Sequence, residues 1–133
     1  MENVIFEKYI NKVSPFMIIY IINSEIKLMY WFYLFIAIIF EVAATLSIKQ
    51  VMVTNNSYWI ISVVLCYLIS FSLVGISVQK IDLGTAYAIW AGMGTTLIVI
   101  LGWLFFKEEM NLIKILGVGL IILGSIILKL QHS

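Results

Sequence analysis

The sequence contains no arginine, and only 11% of its 133 residues are charged. Soluble globular proteins are about 25% charged and about 45–50% apolar, whereas this chain is 63% hydrophobic with a mean hydropathy of +1.11. A soluble domain of this length has too little interior to bury that much apolar surface. The net charge of +1 also gives no basic surface for nucleic acid. The composition predicts an integral membrane protein without a nucleic-acid partner.

Residues that form covalent or metal-bound sites are equally scarce. The single cysteine, Cys66, excludes an intramolecular disulfide, and we interpret it as a buried apolar residue. The single histidine, His132, has no companion ligand, so we expect no metal site and no cofactor. An enzyme is not expected either, because the apolar segments hold no serine–histidine pair and no second acid.

Four apolar segments are long enough to cross a hydrocarbon core of about 30 Å, which takes about 20 residues. They are expected at about residues 30–48, 58–78, 83–106 and 112–130. Each must be a helix, because the bilayer offers no water to satisfy backbone groups. The links between them are short. The predicted fold class is therefore an all-α integral membrane protein with four transmembrane helices per subunit.

Residues 1–28 differ from the four-helix domain that we assign to residues 29–133. Their apolar run, at 16–22, has seven residues and is too short to span. It has three interpretations: a poor signal peptide, a segment lying at the membrane interface, or an upstream start choice before a true start at Met29. Met29 stands directly before the first span, which favours the third interpretation.

Lysines near the span ends give no orientation signal. They divide equally between the two sides of the membrane, with Lys27, Lys80 and Lys129 on one side and Lys49, Lys107 and Lys114 on the other. Orientation normally follows a lysine and arginine bias between loops. A balanced count permits insertion both ways round and hence an antiparallel dimer, although any weakly charged small protein shows a similar balance.

Glu41 is the residue that most needs a functional explanation. Eleven uncharged residues precede it and seven follow it within the first span. An acid at a helix centre costs about 2.5–3.5 kcal/mol on insertion and usually faces a bundle interior or a cavity. Such a carboxylate is suited to exchange a proton for a cation. The alternative is a neutral structural acid hydrogen-bonded to Thr45 or Ser47.

Two further patterns surround this acid at helical spacing. Ala37 and Ala44 share its face and leave room for a ligand, or for close helix packing. In the third span, Tyr87, Trp90 and Gly94 lie on one face, and aromatic rings beside an acid suit a lipophilic cation. The alternative there is an interfacial aromatic pair with packing glycines.

The fourth span has no internal acid or aromatic residue. Gly117 and Gly124 lie seven residues apart on one face, and small residues at this interval favour a helix–helix seam in lipid. This span is therefore predicted to serve assembly.

Taken together, these residues resemble the small multidrug resistance family of bacterial transporters. The resemblance runs from residue 29 to about 130 and depends on FEVAATLSIK around Glu41, GTAYAIWAGMGT at 84–95 and the Gly117/Gly124 seam. It implies an antiparallel dimer in the bacterial cytoplasmic (inner) membrane that exchanges protons for cationic compounds at Glu41. It also implies a bend at Gly92 and Gly94 and a dimer contact at Gly117 and Gly124. The implied substrate pocket is formed by Tyr87, Trp90, Thr45, Tyr67 and Ala44.

The resemblance narrows the substrate class. Members that export guanidinium ions carry tryptophan at the position of Ala44, and the lipid-carrier relatives lack the glutamate. The remaining interpretations are a multidrug exporter of quaternary ammonium and other hydrophobic cations, or one subunit of a paired polyamine (spermidine) exporter. The partner is then a second copy or a related small membrane protein. A non-catalytic assembly partner in a heterodimer is the alternative of another class.

Overall fold

The structure, a computed structural model, describes residues 14–132. This part of the chain forms four helices: α1 (Pro15–Thr54), α2 (Tyr58–Ser77), α3 (Leu83–Phe106) and α4 (Leu112–His132). All four are long and apolar enough to cross a membrane. The predicted four-helix fold is confirmed, and α3 begins and ends at the expected residues.

The first helix is longer than the span predicted within it. Ser14 caps its N-terminus by accepting a hydrogen bond from the Phe16 N–H at 3.4 Å, and Pro15 occupies a favourable first-turn position. No glycine or proline follows until the helix ends before Asn55, which adopts a left-handed conformation. A helix of 40 residues is about 60 Å long. Since a hydrocarbon core is about 30 Å thick, α1 extends well beyond it.

The core forms where α1 packs along α2 and against α3. Leu34, Ala37, Ile38 and Ala44 are buried on one face of α1, with Glu41 and Thr45 half-buried beside them. Ile48, at the end of that face, is 38% exposed. The inner face of α1 therefore presents its acid to the helices around it.

The fourth helix lies at the periphery of the subunit. It packs on α3, and none of its described side chains is buried. In the other helices, Ser47 and Ser77 donate to carbonyl oxygens one turn back in their own helix, those of Ala43 and Leu73, at 2.8 and 2.9 Å. The subunit thus has a small core of three helices and one helix with open faces.

Candidate functional site: an acid beside an aromatic row

Glu41 lies against α3 at Gly94. A Cβ atom added at Gly94 would lie 2.8 Å from the carboxyl carbon of Glu41 and closer still to its Oε2. No side chain other than hydrogen fits at residue 94 while the acid stays in place. Gly94, to which the resemblance assigns a bend, is therefore the point of contact with the acid.

The buried oxygen of Glu41 is unpaired. Among residues 14–132, Oε2 is shielded from solvent and has no hydrogen-bond partner. The two hydroxyls considered as partners are engaged elsewhere, because Thr45 donates to the Glu41 backbone carbonyl at 3.0 Å and Ser47 donates to Ala43. The described residues therefore do not form the hydrogen bonds expected of a structural acid. A buried polar atom without a partner is costly, which makes this oxygen available to a proton, a cation or a partner subunit.

Thr45 and Tyr67, both assigned to the substrate pocket by the resemblance, contact each other, and the pocket stays a prediction. Their hydroxyl oxygens lie 3.0 Å apart and join α1 to α2. Since the proton of Thr45 is directed to the Glu41 carbonyl, Tyr67 is the donor in this pair. The Tyr67 ring is thereby held one helical turn from the acid.

Aromatic rings continue from Tyr67 across α2 to α3. Tyr67 stacks on Phe71 with ring centroids 6.0 Å apart, and Phe71 meets Trp90 at 5.3 Å. Trp90 in turn meets Tyr87 at 5.3 Å. We call Tyr67, Phe71, Trp90 and Tyr87 the aromatic row. Phe71 was not identified from the sequence, although it lies four residues after Tyr67 and so on the same helix face.

Trp90 is fixed within this row by a hydrogen-bond chain. Its indole N–H donates to the Ser70 Oγ at 3.2 Å, and Ser70 donates to the Ala37 carbonyl at 2.7 Å. Trp90 is 5% exposed and Ser70 is fully buried. Ser70 was also missed from the sequence, where a serine inside an apolar span was the available signal. The chain links α3 through α2 to the turn of α1 that precedes Glu41.

The members of the row differ in exposure, since Trp90 is buried and Tyr67 is half-buried. Tyr87 and Phe71 are each 56% exposed, so the row has an open face on the surface of the subunit. Ala44, in contrast, is fully buried, and in this conformation it contributes to close helix packing. Its assignment to the substrate pocket stays a prediction.

The glycines assigned to bending and assembly lie in different surroundings. Helix α3 is continuous through Gly92 and Gly94, and a Cβ at Gly92 would lie 2.7 Å from Ser125 Oγ of α4. At Gly117 and Gly124 an added Cβ meets nothing within 4 Å. Gly92 thus provides close contact between α3 and α4, while the α4 glycines face open space. The bend and the dimer contact stay predictions.

Four apolar helices around a half-buried acid form a small multi-pass membrane protein. Residues 29–121 match the family model described as Small Multidrug Resistance protein. The chain is also 39% identical over 104 residues to an uncharacterized membrane protein of Bacillus subtilis (strain 168), YvaE. That alignment covers 77% of this chain and 86% of YvaE. The chain belongs to the small multidrug resistance family, and it is a multi-pass membrane transporter of the bacterial cytoplasmic (inner) membrane.

Proposed function

We propose that the chain is a proton-coupled exporter of hydrophobic and quaternary ammonium cations, and that proton and cation exchange at Glu41. The observation that carries this proposal is the unpaired, solvent-shielded Oε2 of Glu41, one helical turn from Thr45, which contacts Tyr67 of the aromatic row. An acid in such a place holds a proton when the site is empty. It releases that proton when a cation supplies the compensating charge.

The aromatic row favours lipophilic cations over polyamines. Rings attract a diffuse positive charge through their π faces and contribute apolar contact area as well. A polyamine carries several localised charges, and each of them needs its own acid or carbonyl partner when it leaves water. Within the described part of the spans at 30–48, 58–78, 83–106 and 112–130, Glu41 is the single acid. Multidrug export is therefore proposed ahead of the paired spermidine exporter.

The functional unit is proposed to be a dimer, which brings two Glu41 carboxylates into one site. The open faces of α4 and of the aromatic row are the surfaces that a second subunit would cover, and the even lysine count permits it to insert in the opposite orientation. The partner is a second copy of this chain or a related small membrane protein. With two acids, one monovalent cation exchanges for up to two protons.

The proposal is tested by reconstituting the chain alone into proteoliposomes. An imposed pH gradient is expected to drive accumulation of a cationic dye, and Glu41→Gln is expected to abolish that accumulation. The glutamine keeps the size of the side chain but cannot exchange a proton. Accumulation by a folded Glu41→Gln dimer at the wild-type rate would refute proton exchange at this residue. A folded wild-type chain that is inactive alone but active with a related subunit would exclude the homodimer.

A further inference from the structure

An ion pair lies across one end of the bundle, away from the aromatic row. Lys49 Nζ of α1 lies 3.1 Å from Glu108 Oε1 in the link that follows α3. The same ammonium group lies 5.7 Å from the centre of the Phe106 ring. The two links at this end join α1 to α2 and α3 to α4. No link joins α1 directly to α3, so these two helices are connected here by side-chain contacts. The pair therefore ties α1, which carries Glu41, to the link that follows α3.

The backbone after α3 directs Glu108 back toward the bundle. Lys107 adopts a left-handed conformation with φ of 53°, which reverses the chain. The Glu108 N–H then donates to the Gly102 carbonyl at 3.3 Å, and its carboxylate lies on Gly102. A Cβ at Gly102 would lie 3.0 Å from a Glu108 oxygen. The absence of a side chain at residue 102 gives Glu108 its position opposite Lys49.

Beside the ion pair lies a cleft of about 210 Å³ that is open at the surface of the subunit. Its lining includes Thr45, Ile98 and Gly102, as well as the pair itself. Thr45 lies one helical turn from Glu41, and Lys49 lies one turn further along α1. Eight residues of helix correspond to about 12 Å. The pair thus forms one end of this cleft, and Thr45 in its lining lies one turn from Glu41.

We propose that Lys49 and Glu108 are a gate at this cleft, paired in the present conformation and broken when a cation enters or leaves. The inference depends on the proposed transport function, because it assigns a route to the site at Glu41. The two side chains are 45% and 42% exposed, and ion pairs at such exposure are weak and readily exchanged. A weak ion pair is suited to a contact that must break in every transport cycle.

The gate is tested by the reactivity of a cysteine placed in the lining of the cleft. The full chain carries Cys66→Ser and Ile98→Cys, is purified as a dimer in detergent, and is labelled with uncharged hydroxyethyl methanethiosulfonate. Glu108→Gln is expected to raise the labelling rate about twofold to fivefold, the range that corresponds to an exposed ion pair. Raising the salt concentration is expected to raise the wild-type rate as well, because salt screens the pair.

Glu109→Gln is the matched control. It removes the same charge from the same link, whereas Lys114 contacts the Glu109 backbone carbonyl and not its carboxylate. This variant is expected to label at the wild-type rate. The charge-reversed double variant Lys49→Glu with Glu108→Lys is expected to return to within twofold of the wild type, while each single reversal labels faster.

Equal rates for Glu108→Gln and Glu109→Gln in folded dimers would overturn the gate, as would a double variant that labels as fast as the single reversals. The labelling does not depend on proton exchange at Glu41. If Glu108→Gln labels no faster than Glu109→Gln, while the protein still releases protons on binding a cation, the gate alone is refuted. If Glu108→Gln labels faster than Glu109→Gln, but the protein binds a cation without releasing protons, proton coupling alone is refuted.

Discussion

At the scale of single residues, the site depends on a glycine as much as on an acid. Gly94 has no side chain, and Glu41 occupies the space that a Cβ would fill. We expect Gly94→Ala to displace the carboxyl group, because overpacking at such a contact costs about 1–3 kcal/mol. Cation affinity, measured by calorimetry on purified dimer, is expected to fall about tenfold or more, since about 1.4 kcal/mol corresponds to one decade.

Gly75→Ala provides the control for helix propensity, because an added Cβ at residue 75 of α2 meets nothing within 4 Å. This variant is expected to bind the cation as the wild type does and to be slightly more stable, since alanine favours a helix more than glycine. Equal affinity for both variants would show that the contact between residues 41 and 94 does not position the acid.

Individual site residues were predictable from the sequence to different degrees. Glu41 was found because a charge stands out in an apolar span. Ser70 and Phe71 were missed because every position of α2 is uncharged, so hydropathy does not distinguish the face toward α1 and α3 from the face toward lipid. The hydrogen-bond chain through Ser70 also joins residues far apart in sequence, which a local pattern does not indicate.

At the scale of elements, the three later helices were predicted closely because uncharged runs bounded by polar links specify both helix and span. Helix α1 differs. Asn23, Glu25 and Lys27 interrupt its hydropathy, and the predicted span therefore began after them. A helix tolerates polar side chains, and no glycine or proline follows Pro15 to interrupt this one. The chain therefore remains helical from Pro15 to Thr54, through all three polar residues.

Helix α4 is predicted to form the dimer contact through Gly117 and Gly124. Its face with Gly117 and Gly124 is open within the subunit, so bulky residues there create no internal clash. We expect Gly117→Ile with Gly124→Ile to dissociate the dimer because the two helices are kept apart, while helix content is retained. Light scattering of the detergent-solubilised protein measures the change as a loss of half the protein mass.

Gly119 is the matched position on the same helix. It also meets nothing within 4 Å, but it lies two residues from Gly117 and hence on about the opposite face. Gly119→Ile is expected to leave the dimer intact. Dissociation by Gly119→Ile alone, or persistence of the dimer in the Gly117/Gly124 double variant, would show that the contact lies elsewhere.

At the scale of the whole molecule, the proposed dimer places half of the transport site on each subunit. Its acid has an unpaired buried oxygen, its aromatic row is exposed at Phe71 and Tyr87, and its fourth helix lies outside the core. A second subunit could offer a partner to this oxygen and cover both the exposed rings and the fourth helix. Proton and cation compete for the same carboxylate in this account, so cation affinity falls as the pH falls, and in Glu41→Gln it becomes independent of pH.

The most direct test is proton release from the purified, detergent-solubilised chain near neutral pH. Tetraphenylphosphonium is added in one run and spermidine in another, with Glu41→Gln as the control. We expect release of up to two protons per dimer, with a larger release on adding tetraphenylphosphonium than spermidine and none from Glu41→Gln. Cation binding to folded wild-type protein without proton release, or equal release from Glu41→Gln, would contradict this expectation.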